Sequence, residues 1–149
     1  MNTSFSEPCW RYSLSDCVFC KILAGDIPSH KLYEDEHTYV FLDAFPGTKG
    51  HTLIIPKKHY EDLFDIPNDQ MTYLVQVSQK VAKALREVLN FDGINFFQNT
   101  GTAAGQTVFH IHFHLFPRWS GDNALGGWSA TTPDKDYFEG LKKQLIKML

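Results

Sequence analysis

The sequence lacks a membrane-length apolar run, a basic excess and an export signal. No stretch approaches the ~20 apolar residues of a transmembrane helix, and residues 1–15 form a loose, polar lead-in. The net charge of -3 gives no positive surface for nucleic acid or an anionic membrane. We therefore expect a cytoplasmic protein that binds neither, with a flexible extension at 1–15 and a single domain over 16–149.

Cysteine is also scarce. The odd number of cysteines, three, and the missing export signal favour thiols over a structural disulfide. Cys17 and Cys20 form one C-x-x-C, which is either redox-active or half of a tetrahedral zinc site. Since no second C-x-x-C exists, further zinc ligands would be histidines, with His51, His59 and a member of the histidine-rich stretch below as candidates. Two buried thiols in a short helix are the alternative.

The glycine-rich motifs that commonly bind phosphate are missing too. The chain has no G-x-x-x-x-G-K-[ST], and no G-x-G-x-x-G opens a helix. A loop of small residues over 100–107 is a candidate instead, because glycines let backbone amides approach an anion and polar side chains add donors. A plain hairpin loop is the alternative. The candidate donors in and beside this loop are Asn99, Gly105, Gln106 and Thr107.

What the sequence does have is three alternating histidines, His110, His112 and His114. Their period of two predicts a β-strand over 108–118, with the histidines on one face and Ile111 and Phe113 in the core. At ~3.3 Å per residue the outer two lie ~13 Å apart, so one metal could hardly bind all three from a regular strand. A neutral imidazole held through its other nitrogen can attack phosphorus, and a neighbour can transfer protons.

The remaining patterns predict an α+β fold around this stretch. A short helix over 17–23 should end at Gly25, and strands are expected at 31–34, 38–43, 51–56 and 93–99. Apolar residues recur at helical spacing over 69–90 and again over 134–148. The hairpin-rich order of the strands favours an antiparallel sheet.

Taken together, these motifs resemble the histidine triad (HIT) family, and in particular its Hint-like branch. The stretch over 110–116 is similar to the family signature H-φ-H-φ-H-φ-φ, where φ is apolar. The C-x-x-C, the run G-H-T-L-I-I-P-K-K-H over 50–59 and the N-x-G and G-Q-T-V motifs over 99–108 stand in the expected order. The resemblance covers 17–119. It implies a HIT-like fold, with a five-stranded antiparallel sheet, a long helix and a C-terminal helix in each subunit of a homodimer.

The resemblance also implies a reaction: hydrolysis or transfer at the α-phosphate of a purine nucleotide derivative, such as a nucleoside phosphoramidate or a dinucleoside polyphosphate. It makes His112 the nucleophile that becomes nucleotidylated. His114 would contact phosphate and transfer protons, and His51 would orient His112 or support the site. The implied nucleotide contacts are Asp43 for the ribose, Asn99, Gly105, Gln106 and Thr107 for phosphate, and Phe19, Ile22 and Phe41 for the base.

Family members that keep the C-x-x-C bind zinc through four residues, which correspond here to Cys17, Cys20, His59 and His110. Two thiolates and two imidazoles make a closed, structural zinc site. Three other functions remain open. They are a nucleotide-binding regulator or scaffold with weak catalysis, a metalloenzyme with a catalytic metal among the histidines, and DNA deadenylation, which the lack of a basic patch disfavours.

Overall fold

The computed structural model describes residues 17–124, which form one antiparallel sheet with a long helix on one face. The sheet has five strands in the order β1-β2-β3-β5-β4. The elements are α1 (Val18–Ala24), β1 (His30–Glu34), β2 (Thr38–Leu42), β3 (Thr52–Pro56), α2 (Asn68–Leu89), β4 (Gly93–Gln98) and β5 (Phe113–Arg118). The expected extension at 1–15 and helix at 134–148 lie outside the described residues. No helix within 17–124 is long and apolar enough to cross a membrane.

Both α-helices of the described structure begin and end at residues that can cap a helix. The Cys17 sulfur accepts the N–H of Cys20 at the start of α1, and Gly25 ends α1 with a left-handed φ of 84°. Helix α2 follows Pro67 and ends at Asn90, which has a φ of 47°. Asparagine tolerates this conformation better than most residues. The helix therefore covers nearly the range 69–90 that the helical spacing predicted.

The central strands β2, β3 and β5 are buried, because α2 packs on one face of the sheet and α1 packs on the other. On the α2 side, Val40, Ile54 and Leu115 belong to one apolar cluster. On the α1 side, Phe41 and Leu53 belong to a second cluster. Successive strand residues point to opposite faces, so each strand contributes to both clusters.

The strand predicted over 108–118 begins only at Phe113, so its first five residues were assigned wrongly. They run beside another segment, where the Ile111 N–H donates to the Tyr60 carbonyl. On the facing strand, Pro56 has no N–H for the ladder, and its carbonyl accepts the His110 ring instead. The alternation nevertheless holds, since Ile111 and Phe113 both lie in the cluster under α2.

An apolar groove of about 590 Å³ lies between α2 and the strands β1 and β2, away from the histidine-rich stretch. Its lining includes Leu42, Val81, Leu85 and Val88. None of the residues predicted to carry chemistry lines it. The groove is therefore separate from the site described next.

Candidate active site and metal centre

One end of the histidine-rich stretch meets α1 in a cluster of two cysteines and two histidines. The ligand atoms of Cys17, Cys20, His59 and His110 all lie within 4.8 Å of one another. The His110 Nδ1 is 3.6 Å from each sulfur, and the His59 Nδ1 is 3.4 Å from the Cys20 sulfur. Ligand atoms around tetrahedral zinc are separated by roughly 3.5 Å. The spacing and the donor types therefore fit zinc.

The hydrogen bonding of His110 favours a metal ligand at this position. Its Nε2 lies 2.9 Å from the Pro56 carbonyl, and a carbonyl only accepts, so Nε2 carries the ring proton. The Nδ1 lone pair then faces the two sulfurs. Full burial lowers the pKa of His110 to about 3, which keeps the ring neutral, as metal binding requires.

The oxidation state of the cysteines decides whether this cluster can bind a metal. Cys17 is a free cysteine in this structure. Because zinc takes cysteine as the thiolate, both sulfurs become ligands only in the reduced protein.

His112 is held in one tautomer two residues further along. Its Nδ1 donates to the His110 carbonyl at 2.8 Å. In a neutral ring, Nε2 is then unprotonated and carries the lone pair that a nucleophile needs. Burial is the main cause that lowers the pKa of His112, so the ring is neutral at physiological pH. Phe19 packs edge-on against it, with ring centroids 5.1 Å apart.

His51 and His114 form a hydrogen-bonded pair at the other end. The Gly47 N–H donates to the His51 Nδ1 at 3.1 Å, so His51 carries its proton on Nε2 and donates it to the His114 Nδ1 at 2.8 Å. A neutral His114 then keeps its own proton on Nε2. The His51 ring thus bonds directly to His114, and no hydrogen bond joins it to His112 among the described residues.

The surroundings of this pair keep both rings neutral. Burial lowers the pKa of His51, against the raising effect of Asp43, whose Oδ2 is 3.5 Å from its Nδ1. Burial and the neighbouring His112 and His51 lower the pKa of His114 to about 4. Phe97 stacks on the His114 ring at 4.6 Å. His114 is therefore a neutral ring that carries its proton on Nε2, where a ligand could accept it.

Gly47 is a contributor that sequence reasoning missed. A Cβ at this position would lie 2.6 Å from the Phe116 ring, so only glycine lets the backbone pass close enough to reach His51. The Pro46-Gly47 pair signals a turn in the sequence. Nothing in the pattern indicates that its N–H fixes a histidine tautomer from four residues away.

The small-residue loop over 100–107 contains or adjoins the expected phosphate contacts. Thr107 is exposed and Asn99 is half-buried, and neither side chain donates a hydrogen bond to the described part of the chain. A Cβ on Gly105 would lie 3.4 Å from the Asn99 Nδ2, so the two residues are neighbours in space. These three expected phosphate contacts therefore share one end of the loop.

Gln106 differs, because its side chain is hydrogen-bonded to the backbone in this structure. Its Oε1 accepts the Gly101 N–H at 2.7 Å. Its Nε2 donates to the carbonyls of Glu61 and Val108 at 2.8 and 3.1 Å. Both amide protons are used, and the residue is only 2% exposed. No donor of this side chain is left for a phosphate oxygen.

The expected base-wall residues come together on the α1 face of the sheet. Phe19 and Phe41 pack edge-on at 5.5 Å, and Ile22 packs against the same cluster. Asp43 follows β2 immediately, and its Oδ1 accepts the Phe45 N–H. A pocket role for these residues would therefore place a base beside His112.

This geometry can be set against known proteins. The HIT domain family model matches residues 24–121, most of the described structure. The chain belongs to the HIT family. A crystal structure of a HIT family protein from Bacillus subtilis is similar, with a TM-score of 0.82 and 39% identity over 90% of this chain and 97% of that one. The α+β HIT fold, with its five-stranded antiparallel sheet and long helix, is thereby confirmed.

Two further HIT relatives bear on chemistry. An adenosine 5'-monophosphoramidase from Saccharomyces cerevisiae, HNT1, is 42% identical over 134 residues, which is 89% of this chain and 82% of the relative. A zinc-bound histidine triad protein from Mycobacterium smegmatis is 41% identical, with a TM-score of 0.71 over 91% of this chain and 99% of that one.

Proposed function

We propose that this HIT protein is a nucleotide hydrolase that cleaves adenosine phosphoramidates or related purine nucleotide derivatives through a covalent nucleotidyl-His112. The hydrogen bond from the His112 Nδ1 to the His110 carbonyl carries the proposal, because it leaves Nε2 unprotonated in a neutral ring. The similarity to a yeast adenosine 5'-monophosphoramidase supports a phosphoramidate as the substrate class.

The reaction proceeds in two displacements. The His112 Nε2 attacks the α-phosphorus, a P–N bond to the ring forms, and the bond to the amine leaving group breaks with its electron pair on the amine nitrogen, which takes up a proton. Water then attacks the same phosphorus and loses a proton, and the P–N bond to the ring breaks with its electron pair returning to Nε2, which releases the nucleoside monophosphate. The His114 Nε2–H, ordered by His51 and Gly47, hydrogen-bonds the phosphoryl oxygens.

The remaining residues of the site are assigned to the ribose, the phosphate and the base of the nucleotide. Asp43 accepts the ribose hydroxyls, and Asn99, Gly105 and Thr107 contact phosphate. Phe19, Ile22 and Phe41 enclose the base beside His112, which the edge-on packing of Phe19 against that ring supports. The net charge of -3 suits this arrangement, because the phosphate charge is met by hydrogen-bond donors rather than by lysine.

Zinc is proposed as a structural partner of this chain. Cys17, Cys20, His59 and His110 would hold it, and the metal would supply a crosslink between α1, the segment after β3 and the stretch before β5. The ring of His110 would then bind the metal, while its backbone carbonyl accepts the hydrogen bond from His112.

A homodimer is the proposed assembly. Strand β4 lies at the edge of the sheet, and Phe96 on it is 44% exposed, so this edge is open to a second copy. Light scattering at several protein concentrations checks the assembly, and Phe96→Lys is expected to shift it toward a monomer.

A substrate panel tests the proposed activity. Adenosine phosphoramidate, a diadenosine polyphosphate and adenosine phosphosulfate share AMP and differ in leaving group. We expect turnover of the phosphoramidate. We also expect that rapid denaturation without acid traps one AMP per chain on His112, which mass spectrometry detects. Binding of AMP with negligible turnover of all three would instead identify a nucleotide-binding regulator or scaffold.

A further inference from the structure

Gln106 makes a three-way connection that no phosphate role explains. Its side chain is buried and bonds to three backbone groups from three places in the chain, namely Gly101, Glu61 and Val108. The amide orientation is unambiguous, because the Gly101 N–H must meet the oxygen and the two carbonyls must meet the nitrogen. Every polar atom of the side chain is satisfied.

The first bond closes the small-residue loop. The Gly101 carbonyl accepts from Ala104 and from the Gln106 backbone, while the Gln106 Oε1 accepts the Gly101 N–H. The two ends of the loop are thus tied from both directions. Gly101 has a φ of 83°, which the loop needs in order to turn at this point.

The second bond ties the loop to a neighbouring strap, the residues 59–61. Tyr60 accepts the Ile111 N–H at 2.7 Å, and Glu61 accepts from Gln106 at 2.8 Å. The strap therefore runs beside both the loop and the stretch that carries His110 and His112. It fixes the distance between the loop and the nucleophile.

We infer that Gln106 is a positioning residue: it clamps the loop 101–107 against the strap so that Thr107 and Gly105 meet the phosphate while His112 attacks. The identity of the loop's ligand rests on the proposed function, whereas the clamp itself does not. Gln106 touches no substrate atom. It acts through the backbone that it holds.

Hydrogen exchange on the ligand-free protein tests the clamp without any substrate. Gln106→Met keeps the length and volume of the side chain and removes all three bonds. Gln106→Glu keeps an acceptor for Gly101 and removes both donors. We expect faster exchange at Gly101, Ala104 and Gly105 in Gln106→Met and little change in Gln79→Ala, an exposed helix variant. Unchanged loop exchange in Gln106→Met would overturn the clamp.

Measurements of ligand binding distinguish a positioning role of Gln106 from a general loss of stability. In Gln106→Met we expect the Kd for AMP to rise roughly 10-fold or more, while the Kd for adenosine, which has no phosphate, stays within about twofold. Val77→Ala, a core variant on the buried face of α2, is expected to lose stability with both Kd values unchanged. Equal weakening of AMP and adenosine in Gln106→Met would contradict the inference.

A measurement on the wild type keeps the inference testable if the variants do not fold. The side-chain amide signals of Gln106 in NMR should move little when AMP saturates the protein, while the backbone amide of Thr107 moves strongly. A large shift of the Gln106 side-chain amide would show direct contact with phosphate and overturn the inference. If wild type binds no AMP, the proposed function fails, and the exchange experiment still decides the clamp.

Discussion

Two clusters of potential metal ligands lie at opposite ends of the histidine-rich stretch, and their hydrogen bonds give them opposite chemistry. One consists of Cys17, Cys20, His59 and His110, and the other of Asp43, His51 and His114. Ligand type and spacing alone would allow a metal in either.

The difference lies in where the ring protons are. The His110 proton points away to the Pro56 carbonyl, so its lone pair faces the sulfurs. In the second cluster the lone pairs are already occupied: the His51 Nδ1 accepts from Gly47, and the His114 Nδ1 accepts from His51. The first cluster can therefore bind a metal, whereas the second is a chain of hydrogen-bond donors.

The partner of the second ring nitrogen therefore decides the role of each histidine. His112 stands between the clusters and follows the same rule, because the His110 carbonyl takes its proton and frees Nε2. A metalloenzyme with its metal at His114 is disfavoured on this ground.

Removing the nucleophile should have the largest effect. We expect His112→Ala to lower kcat for adenosine phosphoramidate by roughly four to six orders of magnitude, because no other group can form the covalent intermediate. Steady-state kinetics and mass spectrometry of the trapped adduct measure this. His30→Ala, an exposed histidine, serves as the matched control, and full activity of His112→Ala would end the proposed mechanism.

Zinc binding should show most directly which of the two clusters holds a metal. The reduced protein is expected to bind one zinc per chain, and Cys17→Ser to bind none although His51 and His114 are intact. Chelation should cost on the order of several kcal/mol and lower Tm by roughly 10 °C or more. Elemental analysis and calorimetry of protein purified with a reductant check both. Zinc retained in Cys17→Ser would place the metal at the second cluster instead.

Much of this arrangement could be predicted from the sequence, because its signals are local. The alternation around His112 and the helical spacing over 69–90 identified the core face and the long helix. The unpaired stretch before Phe113 could not be predicted, since it depends on Tyr60 and Pro56 from a distant segment. Gln106 shows the same limit: its type suggested a phosphate donor, whereas its burial and three partners are tertiary facts.

Removing the hydrogen bonds that fix the His114 tautomer should have a smaller effect on kcat. We expect His51→Asn to lower kcat by roughly 10- to 100-fold, because His114 then loses the bond that fixes its proton on Nε2. Gly47→Ala should act in the same direction, since its Cβ would meet Phe116 and displace the amide. Both variants should still form the nucleotidyl-His112 intermediate. A loss of kcat in His51→Asn as large as in His112→Ala would mean that His51 takes part in the chemical step and does not only orient His114.

The smallest effect concerns stability in acid. Because the pKa of His114 is lowered to about 4 in the folded protein from an unfolded value of 6.5, the unfolded chain binds more protons between these values. Stability is therefore fully present above about pH 6.5 and falls as pH decreases toward 4. One such group contributes a slope of at most about 1.4 kcal/mol per pH unit.

Urea unfolding of the zinc-loaded protein at pH 7 and pH 5 isolates this contribution. His51 and His112, whose pKa values are also lowered by burial, and Asp43 face the same ring and contribute to the total slope. His114→Phe keeps the aromatic contact with Phe97 and removes the titrating group, so its stability should fall less between the two pH values. An unchanged difference in His114→Phe would mean that His114 does not titrate as a buried neutral ring, and the hydrogen-bond order of the second cluster would have to be reassigned.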